Sequence, residues 1–163
     1  MEIKADEIAP NGDYPVFGGN GLRGYTSRYN FEGDCAIIGR QGAFCGNVRY
    51  FKGRAYMTEN AIIAVANENN STRFLAYLLG VMKLDRFSGQ SAQPHIYPKH
   101  IGNLLIPDLD IGKVEYFDSI VAPIYLQINE IQQENQRLSG LRDTLLPKLM
   151  SGELNVNAKS GLQ

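Results

Sequence analysis

The chain has 163 residues, a formal net charge of −1, 44% hydrophobic residues and no tryptophan. This length is enough for one well-buried core with an appendage, and it excludes two full-sized domains. The sequence shows no secretory signal and no apolar run long enough to cross a bilayer, so it predicts a soluble, cytoplasmic protein with no membrane association.

Charge is unevenly distributed along the chain. Between residues 16 and 106, ten basic and five acidic residues give a local net charge of +5, and the acidic excess lies at the two ends. A locally basic body is compatible with a polyanionic partner, although many soluble domains show a similar imbalance. The charge distribution alone therefore does not assign a function.

The first 66 residues predict a β-rich body. After a polar, turn-rich start, short runs rich in Val, Ile, Tyr and Phe alternate with glycine-containing turns. The predicted strands are residues 14–17, 35–38, 47–51 and 61–65. Cys35 and Cys45 lie in this apolar pattern and are expected to be buried and reduced. Their spacing, with no histidine close by, does not form a zinc pattern, so no metal is predicted.

A packing helix and a closing strand are predicted next. Residues 73–82 have apolar positions at helical spacing and follow the cap candidates Asn70, Ser71 and Thr72. Residues 88–100 are polar with Pro94 and Pro98, which predicts a loop. Residues 103–106 are predicted to form a last short strand that Pro107 stops. The expected fold class is α+β.

A long C-terminal helix carries a heptad pattern. It is expected to begin near Asp108 or Asp110 as caps and to continue through Pro123 to about residue 150. Apolar residues recur at alternating intervals of three and four, with two polar positions, Asn135 and Arg142. The candidate dimerisation positions are Val114, Phe117, Val121, Ile124, Ile128, Ile131, Asn135, Leu138, Leu145 and Leu149.

This apolar seam predicts a second helix as its partner. A helix over residues 113–150 would be about 57 Å long at 1.5 Å per residue. A body of this size is nearer 30 Å across, roughly, so much of the seam extends beyond it. We therefore expect a homodimer formed by antiparallel pairing of this helix.

The sequence offers no assembled catalytic or cofactor site. Residues 19–24 match the letters of a G-x-G-x-x-G dinucleotide motif, but a strand or loop follows where the motif requires a helix. The glycines are better explained as turn formers between strands. No nucleophile, base and carboxylate share a suitable context, so we predict a non-enzyme without a cofactor.

Basic and amide side chains cluster at turns and strand ends of the predicted body. Arginine can pair with guanine, Asn or Gln with adenine, and basic residues with phosphates, so such a cluster suits duplex DNA. Taken singly, each is more simply a solvated polar side chain. The candidate DNA contacts are Asn20, Arg23, Tyr25, Arg28, Arg40, Gln41, Arg49, Lys52, Arg54, Gln90, Ser91 and Gln93.

Several motifs in order resemble one known family. Residues 14–21 (Tyr-Pro-Val-Phe-Gly-Gly-Asn-Gly), 38–48 (Ile-Gly-Arg-Gln-Gly-Ala-Phe-Cys-Gly-Asn-Val) and 57–61 (Met-Thr-Glu-Asn-Ala) resemble a target recognition domain of type I restriction-modification specificity subunits. Residues 138–154 resemble the end of that family's conserved coiled-coil segment. The similarity covers nearly the whole chain, as a single recognition domain with one helix, which makes it a half-subunit or a fragment.

The resemblance implies a non-catalytic DNA-binding subunit that directs a methyltransferase subunit and a restriction subunit to one half of a bipartite site. It implies a recognition domain over residues 1–110, a dimerisation or spacer helix over residues 111–152 and a flexible tail over residues 153–163. Motif residues such as Gly39 and Gly46 are expected to hold the scaffold. The alternative is a protein-interaction module or decoy that occupies the methyltransferase without binding DNA.

Overall fold

The computed structural model describes residues 2–19, 21–67, 70–88, 94–106 and 109–154. The chain divides into two compact units, Met1–Ala122 and Pro123–Gln163. The first unit contains a β-sheet, two shorter helices and the first turns of a long helix. The second unit contains the rest of that helix.

Five strands form the sheet of the first unit. They are β1 (Tyr14–Gly18), β2 (Gly21–Thr26), β3 (Phe31–Gly39), β4 (Val48–Met57) and β5 (Ala61–Ala64). Their order across the sheet is β2-β1-β4-β3-β5, and the β1–β4 pair is parallel whereas the other pairs are antiparallel. The four predicted strands are confirmed. β2, which lies in the glycine cluster, was not predicted as a strand.

Strand β3 is buried on both faces. Successive side chains of a strand point to opposite sides, so Ala36 and Ile38 pack towards α1 (Thr72–Val81), whereas Cys35 and Ile37 pack with Phe17 and other aromatic rings. Such double burial explains why residues 35–38 form an uninterrupted apolar run. The sheet therefore has an apolar cluster on each side.

Both cysteines are buried and free, as predicted. Burial raises the pKa of the Cys35 thiol to about 12, with a further contribution from the nearby Asp34 carboxylate. Burial also raises the pKa of the Cys45 thiol. Both side chains therefore act as small apolar core residues.

Helix α1 confirms the predicted packing helix. Ser71 is its N-cap, and the Ser71 hydroxyl oxygen accepts a 3.1 Å hydrogen bond from the Phe74 amide. Ala76 and Leu79 on the inner face are buried against the sheet. Local capping and apolar spacing were sufficient to locate this helix.

The predicted strand at residues 103–106 is wrong. The region contains helix α2 (Pro98–Gly102), with Pro98 in its first turn, where proline costs no backbone hydrogen bond. Asn103 is the C-cap, and the Leu104 amide bonds back to the Ile101 carbonyl. Leu105 is 94% exposed, so this short apolar run leaves the helix instead of joining the sheet.

The long helix α3 extends over Ile111–Met150. Asp110, one of the two predicted caps, accepts a 3.0 Å hydrogen bond from the Gly112 amide, whereas Asp108 lies outside the described residues. Within the first unit, Val114 is buried, and the Phe117 ring lies 5.2 Å from both the Phe74 and Tyr77 rings. The first turns of α3 therefore belong to the core of that unit.

The second unit presents apolar side chains along its helix. The seam positions from residue 124 onward are exposed by 41–61%: Ile124, Ile128, Ile131, Leu138, Leu145 and Leu149. The helix ends at Met150 and is followed by Gly152, whose φ of +76° suits glycine, and the Leu154 amide donates to the Lys148 carbonyl. Among the described helices, none combines the length and apolarity needed to span a membrane.

Candidate nucleic-acid interface

The turn between β3 and β4 depends on two glycines in close approaches. The Gly39 amide donates to the Asn47 carbonyl, and the Gly46 amide donates to the Gly39 carbonyl, both at 2.9 Å. A Cβ at Gly39 would collide with the Phe44 and Gly19 carbonyl oxygens. Gly46 has a φ of +86°, and its Cβ would meet the backbone of Asp85. Both glycines therefore have the scaffold role expected of them.

Arg40 and Gln41 are held by contacts inside the protein. The Arg40 Nε donates to His95 Nε2 at 3.1 Å, and its Nη1 donates to the Glu59 carbonyl at 3.1 Å. The Gln41 amide nitrogen donates to Asn60 Oδ1 at 2.6 Å. These polar groups hold the segment around His95 against the β3–β4 turn.

Arg28 and Arg54 each have an acidic partner. Arg28 forms a 2.9 Å ion pair with Glu7, and its guanidinium lies 5.1 Å from the centre of the Tyr56 ring. Arg54 forms a 3.0 Å ion pair with Glu32. The hydrogen bond that Arg54 donates to the Glu32 carboxylate raises the pKa of Arg54. Much of the charge of these two arginines is already compensated within the protein.

Three of the predicted basic residues are exposed and have no such partner. Within the described ranges, Arg23, Arg49 and Lys52 form no ion pair with a carboxylate. The Arg49 guanidinium lies against Gly21, where a Cβ would be 2.9 Å from its Cζ, and the Arg23 stem lies across Gly18. These side chains retain their full charge for an external anion.

The predicted set is not brought together on one surface. Arg49 pairs with Ile37 and Lys52 pairs with Asp34 along the β3–β4 ladder, so alternation puts Arg49 and Lys52 on opposite faces of the sheet. The half-buried Tyr25 exchanges two backbone hydrogen bonds with Ala9. Four further candidates lie outside the described residues: Asn20, Gln90, Ser91 and Gln93.

One polar cluster was not foreseen from the sequence. Asp118 on α3 accepts hydrogen bonds from Arg73 Nε at 3.1 Å, from Arg73 Nη2 at 2.8 Å and from the Ser71 hydroxyl at 2.6 Å. The hydrogen bond from Arg73 is the main cause that lowers the pKa of the Asp118 carboxyl, and burial opposes it. This cluster, which we call the Asp118 contact, joins the starts of α1 and α3 within the first unit.

The arrangement of the described residues offers binding groups and no assembled reaction centre. No three His, Cys, Asp or Glu side chains in this part of the chain converge as metal ligands would. The polar groups that do converge near Arg40 and Asp118 bond to one another. What remains available to a ligand is the exposed, unpaired cationic set.

The family assignment follows from residues 2–118, which match the family model described as the type I restriction modification DNA specificity domain. The chain therefore belongs to the type I restriction-modification specificity subunits, the non-catalytic recognition component of those systems. This confirms the resemblance found in the motifs.

Two known proteins extend this assignment. The chain is 42% identical over 115 residues to the type I restriction enzyme EcoprrI specificity subunit of Escherichia coli, covering 71% of this chain and 25% of that protein. The crystal structure of the type I restriction-modification system S subunit from M. genitalium matches with a TM-score of 0.67 at 18% identity, over 91% of this chain and 41% of that chain. The second likeness supports the fold alone. The chain spans about a quarter of the curated relative's length.

Proposed function

We propose that this chain binds duplex DNA sequence-specifically and directs a methyltransferase subunit and a restriction subunit to one half of a bipartite site. The observation that carries the proposal is the family match over residues 2–118, which takes in almost the whole first unit, Met1–Ala122. The protein itself performs no chemistry in this scheme. It determines the DNA sequence at which the methyltransferase and restriction subunits act.

In this proposal, residues 1–110 form the recognition domain, residues 111–152 a spacer and dimerisation helix, and residues 153–163 a tail. Val114 is buried and the Phe117 ring contacts Phe74 and Tyr77, so the first turns of this helix pack on the recognition domain and the part free for pairing begins after them. Cytoplasmic DNA is the expected target, because the family recognises DNA within the cell.

A homodimer is the proposed assembly. The seam residues Val114 and Phe117 are covered within their own unit, so the surface available for pairing begins at Ile124 and continues to Leu149. Each protomer would lay this exposed apolar stripe against its partner in antiparallel orientation, with Asn135 fixing the register. Two-fold symmetry then predicts two identical half-sites in a palindromic, interrupted DNA sequence.

The DNA contacts are proposed to come chiefly from the unpaired cations Arg23 and Arg49, which lie beside the same hairpin, whereas Lys52 is on the opposite face of the sheet from Arg49. Arg28, Arg40 and Arg54 stay in the proposed set only as residues that shape the surface, since each is already held by protein groups. An arginine that must first break its hydrogen bond to a carboxylate or a carbonyl contributes less free energy to phosphate binding. Bases would be read by neighbouring side chains of the domain.

The test is to co-express the chain with its methyltransferase subunit and map methylated adenines across the host genome. One palindromic interrupted motif is expected, and it should disappear when the chain is omitted. A non-palindromic motif would contradict the homodimer and leave DNA recognition standing. Copurification of the methyltransferase without new methylation and without duplex binding would favour the decoy. Light scattering of the isolated chain gives its assembly directly, and a monomer at tens of micromolar would contradict pairing through α3.

A further inference from the structure

In the β1–β2 hairpin, an arginine side chain lies across each of the two glycines that form the last strand pair before the turn. Gly18 and Gly21 face each other in the ladder. The Arg23 stem crosses Gly18, and the Arg49 guanidinium lies against Gly21, whose φ is +91°. Any larger residue at Gly21 would occupy the space that the Arg49 head group now fills. The two glycines are themselves buried, and the exposed side chains of Arg23 and Arg49 cover them.

A cleft opens beside this hairpin. Gly19, Gly21 and Gly39 line it together with Asn47 and Arg49, and no carboxylate takes part in the lining. Glu59, at the adjoining end of β4, bonds to the Asn60 amide, and in the described structure it forms no ion pair with either arginine. This shallow cleft has room for little more than a water molecule, and it has a cation and an amide in its lining without a competing anion.

Three other arginines of the first unit differ from Arg49 because each has an acidic partner. Arg28, Arg54 and Arg73 each form an ion pair with a carboxylate, at 2.8–3.0 Å. Arg49 is exposed, like Arg54, but it has no acidic partner, and its guanidinium lies against Gly21. A guanidinium without an acidic partner leaves a local excess of positive charge. A bound anion would neutralise this charge.

We propose that a phosphate of the DNA backbone binds at the mouth of this cleft, with Arg49 as its direct contact and Arg23 on the adjacent phosphate. The inference rests on the proposed function and assigns these two arginines to positioning the duplex, not to reading bases. Glycines suit the role because the lack of a Cβ leaves room for the two arginine side chains to lie across the hairpin. Arginine suits it because its guanidinium presents paired donors to phosphate oxygens.

The test measures binding of the full chain to two fluorescent duplexes, one with its methylation motif and one scrambled, from 50 to 200 mM salt. Arg49→Ala should weaken both duplexes by the same factor. It should also reduce the slope of log affinity against log salt by about 0.9, so that affinity falls ~3.5-fold less over this range than in the wild type. Arg49→Lys should keep the slope, because a phosphate accepts a point charge. Arg23→Ala should act like Arg49→Ala.

Arg137→Ala is the control, since Arg137 is an exposed arginine paired with Glu134 on α3 and belongs neither to the proposed DNA contacts nor to the apolar seam. It should leave the slope unchanged. An unchanged slope in Arg49→Ala, with normal duplex binding by the wild type, would overturn the phosphate assignment and leave the proposed function intact. The assignment would equally be overturned if Arg49→Ala and Arg49→Lys both reduced the difference in affinity between the motif duplex and the scrambled duplex, because that result indicates a base contact. Absence of wild-type binding to either duplex would overturn the proposed function itself.

Discussion

Replacing Asp118 by Asn tests whether the Asp118 contact stabilises the first unit. Asn keeps the size of the side chain but removes its charge. Its amide nitrogen also cannot accept a hydrogen bond, so of the two Arg73 hydrogen bonds of 3.1 and 2.8 Å only one keeps an acceptor, and that one is neutral. A charge-assisted hydrogen bond contributes roughly 1 kcal/mol more than a neutral one. The Arg73 and Asp118 side chains are 22% and 25% exposed, so solvent screens part of the gain. The expected loss is about 1.5 kcal/mol, or roughly 3–6 °C in Tm.

Thermal and urea unfolding at pH 7 measure this loss, with Glu32→Gln as the control. Glu32 also pairs with an arginine, Arg54, but both of those side chains are about half exposed. The control should therefore change stability by less than about 0.5 kcal/mol. If Asp118→Asn melted within ~1 °C of the wild type, or no lower than Glu32→Gln, the Asp118 contact would not be stabilising.

The dependence on pH gives a second, independent check of the same contact. The hydrogen bond from Arg73 lowers the pKa of Asp118 in the folded state below the unfolded value of about 3.9. The contribution is therefore present above that unfolded value, and it is lost as the pH falls through the folded pKa. The difference between wild type and Asp118→Asn should stay constant from neutral pH to about pH 5 and shrink at lower pH. A difference that grew on acidification would refute the linkage.

Three further outcomes are expected. Gly46→Ala should destabilise the first unit by about 3 kcal/mol in urea unfolding, because alanine is strained at a φ of +86° and its Cβ meets the Asp85 backbone; a loss below ~1 kcal/mol would contradict this. Ile131→Glu should convert a dimer into a monomer by light scattering and leave duplex binding by single domains measurable, whereas an unchanged dimer would exclude this face. The Cys35 thiol, fully buried with a pKa of about 12, should resist a thiol reagent at pH 8 until the protein is denatured, and rapid native reaction would contradict its burial.

Local rules were sufficient for much of the fold. The β-branched and aromatic runs gave four strands, and the Ser71 cap with its apolar spacing gave α1. Gly39 and Gly46 were expected to be scaffold residues, and their close approaches explain why no other residue fits. The strand runs and the Ser71 cap are local, whereas the close approaches at Gly39 and Gly46 also involve Gly19 and Asp85, which are distant in the chain.

Long-range contacts explain what sequence reasoning missed. Nothing near Arg40 in the chain indicates that His95 will accept its hydrogen bond, and nothing near Arg73 indicates Asp118. Several side chains look alike in the sequence as candidate DNA contacts. Only their distant partners in the fold distinguish those already bound within the protein from those that are free. Strand β2 was missed because its glycines, which permit the close approach of Arg49 at Gly21, lower the strand signal.

The parallel pairing of β1 with β4 also affects the order in which the strands fold. Val16 pairs with Tyr56, about forty positions later, whereas the β3–β4 hairpin joins Ile38 to Val48 across a short turn. Local pairs close quickly, and distant ones must first overcome loop entropy. During synthesis β1 has to wait for the end of β4 to be made, so the β1–β2 hairpin should join the sheet late. The cleft beside Arg49 would then exist only in molecules that have completed folding.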